Sequence, residues 1–425
     1  MNAPLPVREK PRPVRGFSFL DAARRTPRAN WLLGITGGLL YVVVILALRW
    51  QEPHTDEITH YSQIWLFAQG DWRLLPELTT IPGYHLLVAA ILKLSGAVSL
   101  QGARLASAAF GLCAAAGFHA LRARLWPGTQ TLTTAQFLVL PILVPLFFLA
   151  YTDVLALALL LWATWASVNG RHWLAALLLA GLVLVRQHLV VWSGLLALFA
   201  LQPTDLRHAL RDWRQHLPVL APYLLPVVGF VAFWLGNGSI SLSTSQAGLH
   251  PDLSLHGGNL LFALALVGAV LPLHVLRALA RALRHRLAIP LALLPAVALV
   301  FWIGFRADNP YNGVLPDFYL HNRLVLWLVA DPWLRALAAL LAGAASVTLA
   351  TTALRPAHGR WLLAVGALFL AASWLIEFRY AMVPLVLWLA LREPATRRVE
   401  VATLAGWFVL SCWFMRGMLA QQLFL

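Results

Sequence analysis

WLLGITGGLLYVVVILALRW, residues 31–50, runs into QEPHTDEITH, residues 51–60. The first stretch is apolar over about the 20 residues that a helix needs to cross a bilayer. The second places His54, Asp56, Glu57 and His60 within seven residues, in a chain that is 60% hydrophobic and only 12% charged. A span followed by an acidic pair is therefore the first reading. Adjacent carboxylates repel, which predicts a raised pKa on one of them, suited to proton transfer. The plainer alternative is a solvated polar loop in which Asp56 or Thr55 caps a helix.

Outward from that stretch the pattern repeats. The chain has 425 residues, a mean hydropathy of +0.73 and many apolar runs near the length of a span. It is read as an all-α polytopic membrane protein with about 12–13 crossings, estimated from those runs. The 19 Trp and 25 Pro fit interfacial anchors and residues tolerated in packed membrane helices. The net charge of +15 does not point to nucleic acid, because the basic residues fall mostly in short loops, as the positive-inside rule expects. Cys113 and Cys412 sit in apolar stretches without metal-ligand spacing and read as packing residues.

Basic loops fix the expected orientation. Arg207, Arg211 and Arg214, then Arg277, Arg281, Arg284 and Arg286, then Arg355 and Arg360, then Arg392, Arg397 and Arg398 mark every second loop as cytoplasmic. Residues 1–30 read as a cytoplasmic basic tail and 31–425 as a single transmembrane domain. A first loop at 51–81 and loops at 237–257 and 306–322 then face outward. The first half carries a parity conflict of one span. Either 82–96 is short and re-entrant, or 172–201, interrupted at Arg186, is not a simple crossing.

Ionisable groups inside apolar surroundings cost roughly 2.5–3.5 kcal/mol on insertion scales, so they line cavities or pair with one another. Asp153, Arg186, Arg323, Glu377 and Arg379 are such groups. Each has the alternative of a snorkelling side chain or an internal ion pair. Glu377 and Arg379, at i and i+2, point apart on a helix. Arginines with a carboxylate pair at one membrane face suit a phosphate-bearing lipid, which arginine can clamp. His250 and His256 match no strong metal motif, and Glu57-Ile58-Thr59-His60 lacks the first His of H-E-x-x-H. No metal is expected.

Several segments together are similar to a known family. Asp56-Glu57-Ile58-Thr59-His60 and Leu78-Thr79-Thr80-Ile81-Pro82-Gly83-Tyr84 resemble the D-E-I-F-H and I-T-T-x-P-G-x-Y elements of the dolichyl-phosphate-glucose-dependent α-1,2-glucosyltransferases of the N-glycan pathway. Phe148 to Asp153, Val185 to Trp192, His250 to His256, Tyr319 to Arg323 and Leu375 to Tyr380 resemble further elements in the same order. Thr59 replaces an aromatic residue, His188-Leu189 replaces Thr-Asn, and His321 replaces Asp. The chain has a bacterial-looking composition.

The resemblance implies a GT-C-type fold and an inverting transfer of glucose from polyprenyl-phosphate-glucose to a hydroxyl of a glycan or lipid-linked acceptor. It implies no cofactor beyond the lipid donor, which is a substrate. Asp56 is the expected base, with Glu57 next. Arg323, Arg379 and Arg186 are expected at the donor phosphate. His60, Tyr84, Asp153, Gln187, His250, His256, Asn322, Glu377 and Tyr380 are expected around the substrates. The expected place is a bacterial inner membrane, with the N-terminus cytoplasmic and the site on the periplasmic face, among membrane lipids. The rivals are a transferase of another polyprenyl-phosphate sugar, such as mannose or an aminoarabinose, and a lipid-linked sugar transporter or flippase. The loop position of the carboxylates speaks against transport, whose charged sites lie near the midplane.

Overall fold

A computed structural model describes residues 27–49, 51–201, 211, 213–243, 245 and 254–425. The described residues are helical, without strands beyond isolated bridges. In order they form α1 (Pro27–Leu48), α2 (Glu57–Ala68), α3 (Gly83–Ser95), α4 (Leu100–Leu125), α5 (Gln130–Leu138), α6 (Asp153–Val168), α7 (His172–Val185) and α8 (Val191–Leu201). Then come α9 (Trp213–Asn237), α10 (Gly257–Val270), α11 (Pro272–His285), α12 (Ala288–Gly304), α13 (Leu320–Ala330), α14 (Pro332–Thr351), α15 (Trp361–Ala371), α16 (Phe378–Leu391) and α17 (Arg397–Leu419).

Among the described residues α4, α9, α14 and α17 are long and apolar enough to cross a membrane alone. The α10–α11 pair, bent by 95°, would make a fifth. Nine further apolar helices have 10–17 residues. The protein is thus an integral membrane protein whose apolar runs are often shorter as helices than as sequence. The expected 12–13 crossings depend on these shorter helices. Some of them do run the full distance between two polar ends.

α4 defines those ends. Ser99 caps it, its Oγ accepting from Gly102 N at 3.0 Å. Near its start, Arg104 holds Glu57 and the Leu48 carbonyl at the end of α1. Near its finish, the Arg122 guanidinium donates to the Arg392 carbonyl. Eighteen positions separate the two arginines, about 27 Å of helix, close to the thickness of a hydrocarbon core. α6 runs from Asp153 to Asn169, which meets Arg124 at the second end. α7 returns to Arg186. α16 runs from Glu377 to Arg392, and α17 from Glu400, paired with Arg392 at 2.7 Å, back to the first end. Arg355 and Arg392, placed in cytoplasmic loops by their charge, collect with Arg122 of α4 at one end. Arg355 donates to the Leu125 carbonyl at 3.1 Å.

The parity conflict has a structural answer. Both ends of α3 lie against the first turns of α4. The Tyr84 hydroxyl is 3.1 Å from Ser107 Oγ, and Leu92 packs on Gly102. α3 therefore does not cross. The run 172–201 is also interrupted: Arg186 adopts extended dihedrals (φ −147°, ψ 94°) and ends α7, and a 3-10 turn, Gln187–Val190, leads into α8. A Cβ on Gly83 would stand 2.5 Å from the Leu184 carbonyl, so only glycine lets the start of α3 approach the end of α7 this closely.

The main core packs α4, α6, α7, α8 and α16 around Phe118, Leu160, Leu179, Trp192 and Leu387. A second cluster joins α10, α12, α13 and α14 through Phe262, Phe301, Val325 and Ala342. Helix starts gather between the two. Asp56 and Glu377 are the N-cap residues of α2 and α16, and Asp153 opens α6. Carboxylates at helix N-termini are favoured by the macrodipole, which helps hold three of them in one place.

Candidate active site

A cavity of about 360 Å³ opens where these helix starts meet. Its walls include Asp56, His60, Thr79, Thr80, Arg186, Tyr311, Tyr319, His321, Asn322, Glu377, Arg379 and Tyr380, with Phe424 and Leu425.

The turn before α2 is shaped around Asp56. Thr55 has φ +44°, a left-handed conformation that costs a β-branched residue energy. The Tyr151 hydroxyl compensates by bonding Thr55 Oγ1, accepting from Asp56 N at 3.2 Å and donating to the His54 carbonyl at 3.4 Å. The Asp56 side chain is 48% exposed, on a residue that lines the cavity, and Arg379 Nη1 lies 2.9 Å from its Oδ2. Enclosure pushes this carboxyl up, but the charge and hydrogen bond of Arg379, helped by His60, hold it below the usual carboxylate range. The expected mutual repulsion with Glu57 does not govern it.

Glu57 is corrected from candidate base to scaffold. It is fully buried, outside the cavity. Arg104 grips both carboxylate oxygens at 3.0 and 2.7 Å. Backbone N–H groups of His54 and Ala150 complete the set at 2.9 and 2.8 Å. No lone pair remains conveniently free for a substrate proton.

Arg379 is the hub. Its Nε and Nη2 donate to Glu377 Oε2 and Oε1 at 2.9 and 2.8 Å, its Nη1 reaches Asp56, and Asp153 Oδ2 lies 3.9 Å away. The i, i+2 spacing permits this because Glu377 is extended (φ −140°, ψ 141°) rather than helical. That corrects the expectation that the two side chains point apart. Asp153 also pairs with Arg186. Three carboxylates thus meet two guanidinium groups. The arginines are already neutralised by protein, so they need no lipid phosphate to coexist.

Arg323 is not among the cavity-lining residues. Its side chain, 32% exposed, donates to the Asp317 carbonyl and approaches Asp317 Oδ1 at 4.0 Å, with its guanidinium over Trp327. Other expected site residues are supports. Tyr84 is buried against Ser107. Gln187 donates to the carbonyls of Thr79 and Ile240, both at 2.8 Å, and accepts from Ile81 N at 3.1 Å, stapling loops together. His256 stacks on Trp374, away from the cavity. Asn322 touches the cavity, but its amide is spent on Tyr311, Val314 and Asn312. His250 lies outside the described residues.

His60 borders the cavity, its Nδ1 2.9 Å from His85 Nε2. Burial lowers its pKa to about 4, against the nearby Asp56 and Asp153, so the pair is neutral at physiological pH and suited to hydrogen-bonding a hydroxyl. Tyr151, Tyr319 and Phe424 are site residues without an expected role from the sequence, and His321 stood out there only as a departure from the resembled motif. Tyr151, Tyr319 and His321 lie in quoted motif segments. Phe424 has no local signal: it is placed by pairing with Phe318 and Leu320, both at 2.7 Å, and by stacking on Tyr151. Thr80 Oγ1, Arg186 Nε and His321 Nδ1, all on cavity-lining residues, are buried without a hydrogen-bond partner. Such atoms fit a polar ligand, since buried polar groups are seldom left unpaired.

A helical membrane protein with a carboxylate-rich, hydroxyl-lined cavity at one polar end is the class that this geometry defines. Residues 50–215 match the family model described as the DIE2/ALG10 family, in accord with the motif resemblance. The matched segment carries Asp56, His60, Asp153 and Arg186, and supports a glycosyltransferase of the polyprenyl-phosphate-sugar type. Among solved structures, the chain is similar to ArnT from Cupriavidus metallidurans in the apo state. That likeness has 15% identity and a TM-score of 0.41, and covers 90% of this chain and 78% of that one. No curated protein matches the chain.

Proposed function

We propose that the protein is an inverting glycosyltransferase, moving glucose from polyprenyl-phosphate-glucose to a hydroxyl of a glycan or lipid-linked acceptor. The observation that carries this reading is the Asp56 carboxylate, half-open on a cavity of about 360 Å³ that also presents Arg186 and Arg379. Asp56 takes the acceptor proton as the acceptor oxygen bonds to the anomeric carbon. The bond from that carbon to the phosphate oxygen breaks, and the electron pair leaves with the phosphate. Arg186 and Arg379 stabilise that charge. Phosphate is already a good leaving group, so the reaction as written needs neither an acid nor a cofactor. The basic residues gathered at the opposite end support a cavity on the periplasmic face of a bacterial inner membrane, with a cytoplasmic N-terminus.

One observation favours a second donor. Asp56, Glu77 and Glu377 outnumber Arg186 and Arg379 on the cavity wall, which suits a sugar bearing an ammonium group, such as an aminoarabinose. The deciding experiment offers purified protein synthetic polyprenyl-phosphate-glucose, -mannose and -aminoarabinose with a panel of acceptors. Transfer of glucose in preference to the others supports the proposal. Transfer of the amino sugar alone replaces it with the second reading, and no transfer from any donor removes both.

A further inference from the structure

The opposite, basic end of the molecule holds a second crevice, with a volume of about 40 Å³. It lies between α11, the end of α14 and the end of α16, lined on its polar side by His274, Arg277, Arg281, Arg392 and Glu393. α11 bends 95° from α10. Its spacing puts His274, Arg277 and Arg281 on one face at i, i+3 and i+7, turned to the crevice. Leu273, Leu276 and Leu283 are exposed. An amphipathic helix at a sharp angle to its neighbouring span, basic on one side and apolar on another, is built to lie along a membrane interface.

The charges in the crevice do not balance. Arg392 is spent on Glu400, with both contacts at 2.7 Å. The His274 imidazole is 3.4 Å from Glu400 Oε2. Among the described residues, no ion pair involves Arg277, Arg281 or Glu393, and Arg277 Nη1 is buried without any hydrogen-bond partner. The hydroxyls of Thr348, Thr351 and Thr352 donate to carbonyls of their own helix. A buried guanidinium N–H facing neither carboxylate nor carbonyl is costly, and the like charge of the exposed Arg281, four residues on along the same face, adds repulsion.

We infer that this crevice holds the headgroup phosphate of an anionic phospholipid from the leaflet on the basic face. A phosphodiester would accept from Arg277 and Arg281 together. The exposed leucines of α11 would lie along its acyl chains, a feature for which a free anion has no use. Basic pockets between membrane helices attract such lipids through both charge and burial.

The test uses full-length protein, delipidated in detergent. Thermal unfolding and native mass spectrometry are followed on adding phosphatidylglycerol, phosphatidylcholine or inorganic phosphate. Phosphatidylglycerol is expected to raise the melting temperature and remain bound, and phosphatidylcholine to do neither. Arg277→Gln with Arg281→Gln should weaken retention about tenfold or more. Arg284→Gln with Arg286→Gln, on the same stretch but outside the crevice, should not. Arg281 is exposed, so Arg281→Gln alone serves if the double variant fails to fold. Equal responses to both lipids, equal losses in the two double variants, or an equal shift with inorganic phosphate would overturn the inference.

Discussion

Arg379 Nη1 sits 2.9 Å from Asp56 Oδ2, joining residues 323 positions apart, while the other edge of the same guanidinium grips Glu377 in a two-point contact. The proposed base is therefore held by the proposed phosphate ligand. A donor phosphate that drew Arg379 toward itself would loosen Asp56 and raise its basicity when the acceptor must be deprotonated.

This relationship has a pH signature. Arg379 keeps the Asp56 carboxyl below the ordinary range. Its contribution to stability is present above the unfolded value of about 3.9 and is lost as pH falls through the lower folded value. For catalysis, the acid limb of kcat/KM should lie below the ordinary carboxylate range. Arg379→Gln should move that limb upward, besides lowering the rate. Asp56→Asn should keep the fold and cut turnover by roughly 10²–10⁴. An acid limb that stays put in Arg379→Gln, or near-normal turnover in Asp56→Asn, would separate these residues from the chemistry.

Glu57 should behave differently from its neighbour. Removing one partner of a buried, hydrogen-bonded pair costs about 3–5 kcal/mol, so Arg104→Ala should lower the melting temperature markedly, and Glu57→Gln less so. Turnover per folded molecule should be far less affected than in Asp56→Asn. The check is active-site concentration measured alongside unfolding. A folded Glu57→Gln enzyme as slow as Asp56→Asn would restore Glu57 as the base.

The sequence made the acidic pair visible but not its division of labour. Asp56 is the cap and Glu57 the first residue of α2, so one step along the helix turns the second carboxylate toward Arg104 on α4. That depends on a contact 47 positions away, which spacing cannot reveal. The break at Arg186 was legible because a charge and an amide interrupt an apolar run. The exclusion of Arg323 from the cavity was not, since its outer-face position agreed with that of Arg379 while its direction is set by the turn at Asp317. Phe424 reaches the site only through tertiary pairing with Phe318 and Leu320.

The proposed chemistry asks nothing of a metal ion. Among the described residues, no three His, Cys, Asp or Glu side chains gather as potential ligands, and Asp56, Asp153 and Glu377 are bound to arginine. Transfer measured in detergent should be unchanged by EDTA. Loss with EDTA and recovery with Mg²⁺ or Mn²⁺ would mean that Asp56, Asp153 or Glu377 exchanges arginine for metal in the working enzyme.

Arg186 and Arg323 give the sharpest contrast. Arg186 lines the cavity, is 8% exposed and has a buried Nε without a partner, so it has a donor group to spare for phosphate. Arg323 points to Asp317 and Trp327 outside it. A charge-assisted contact is worth about 1.5–3 kcal/mol, so Arg186→Ala should raise the donor KM roughly 10- to 100-fold. Part of any loss would come from stranding Asp153, whose charged partners among the described residues are Arg186 and, at 3.9 Å, Arg379. Arg186→Lys, which keeps the charge for Asp153 but lacks the planar fork, separates the two effects. It should recover stability more fully than donor affinity. Arg323→Ala should leave the donor dependence unchanged. A raised donor KM in Arg323→Ala, with Arg186→Ala unaffected, would move the phosphate site from the wall formed by Arg186 to the start of α13.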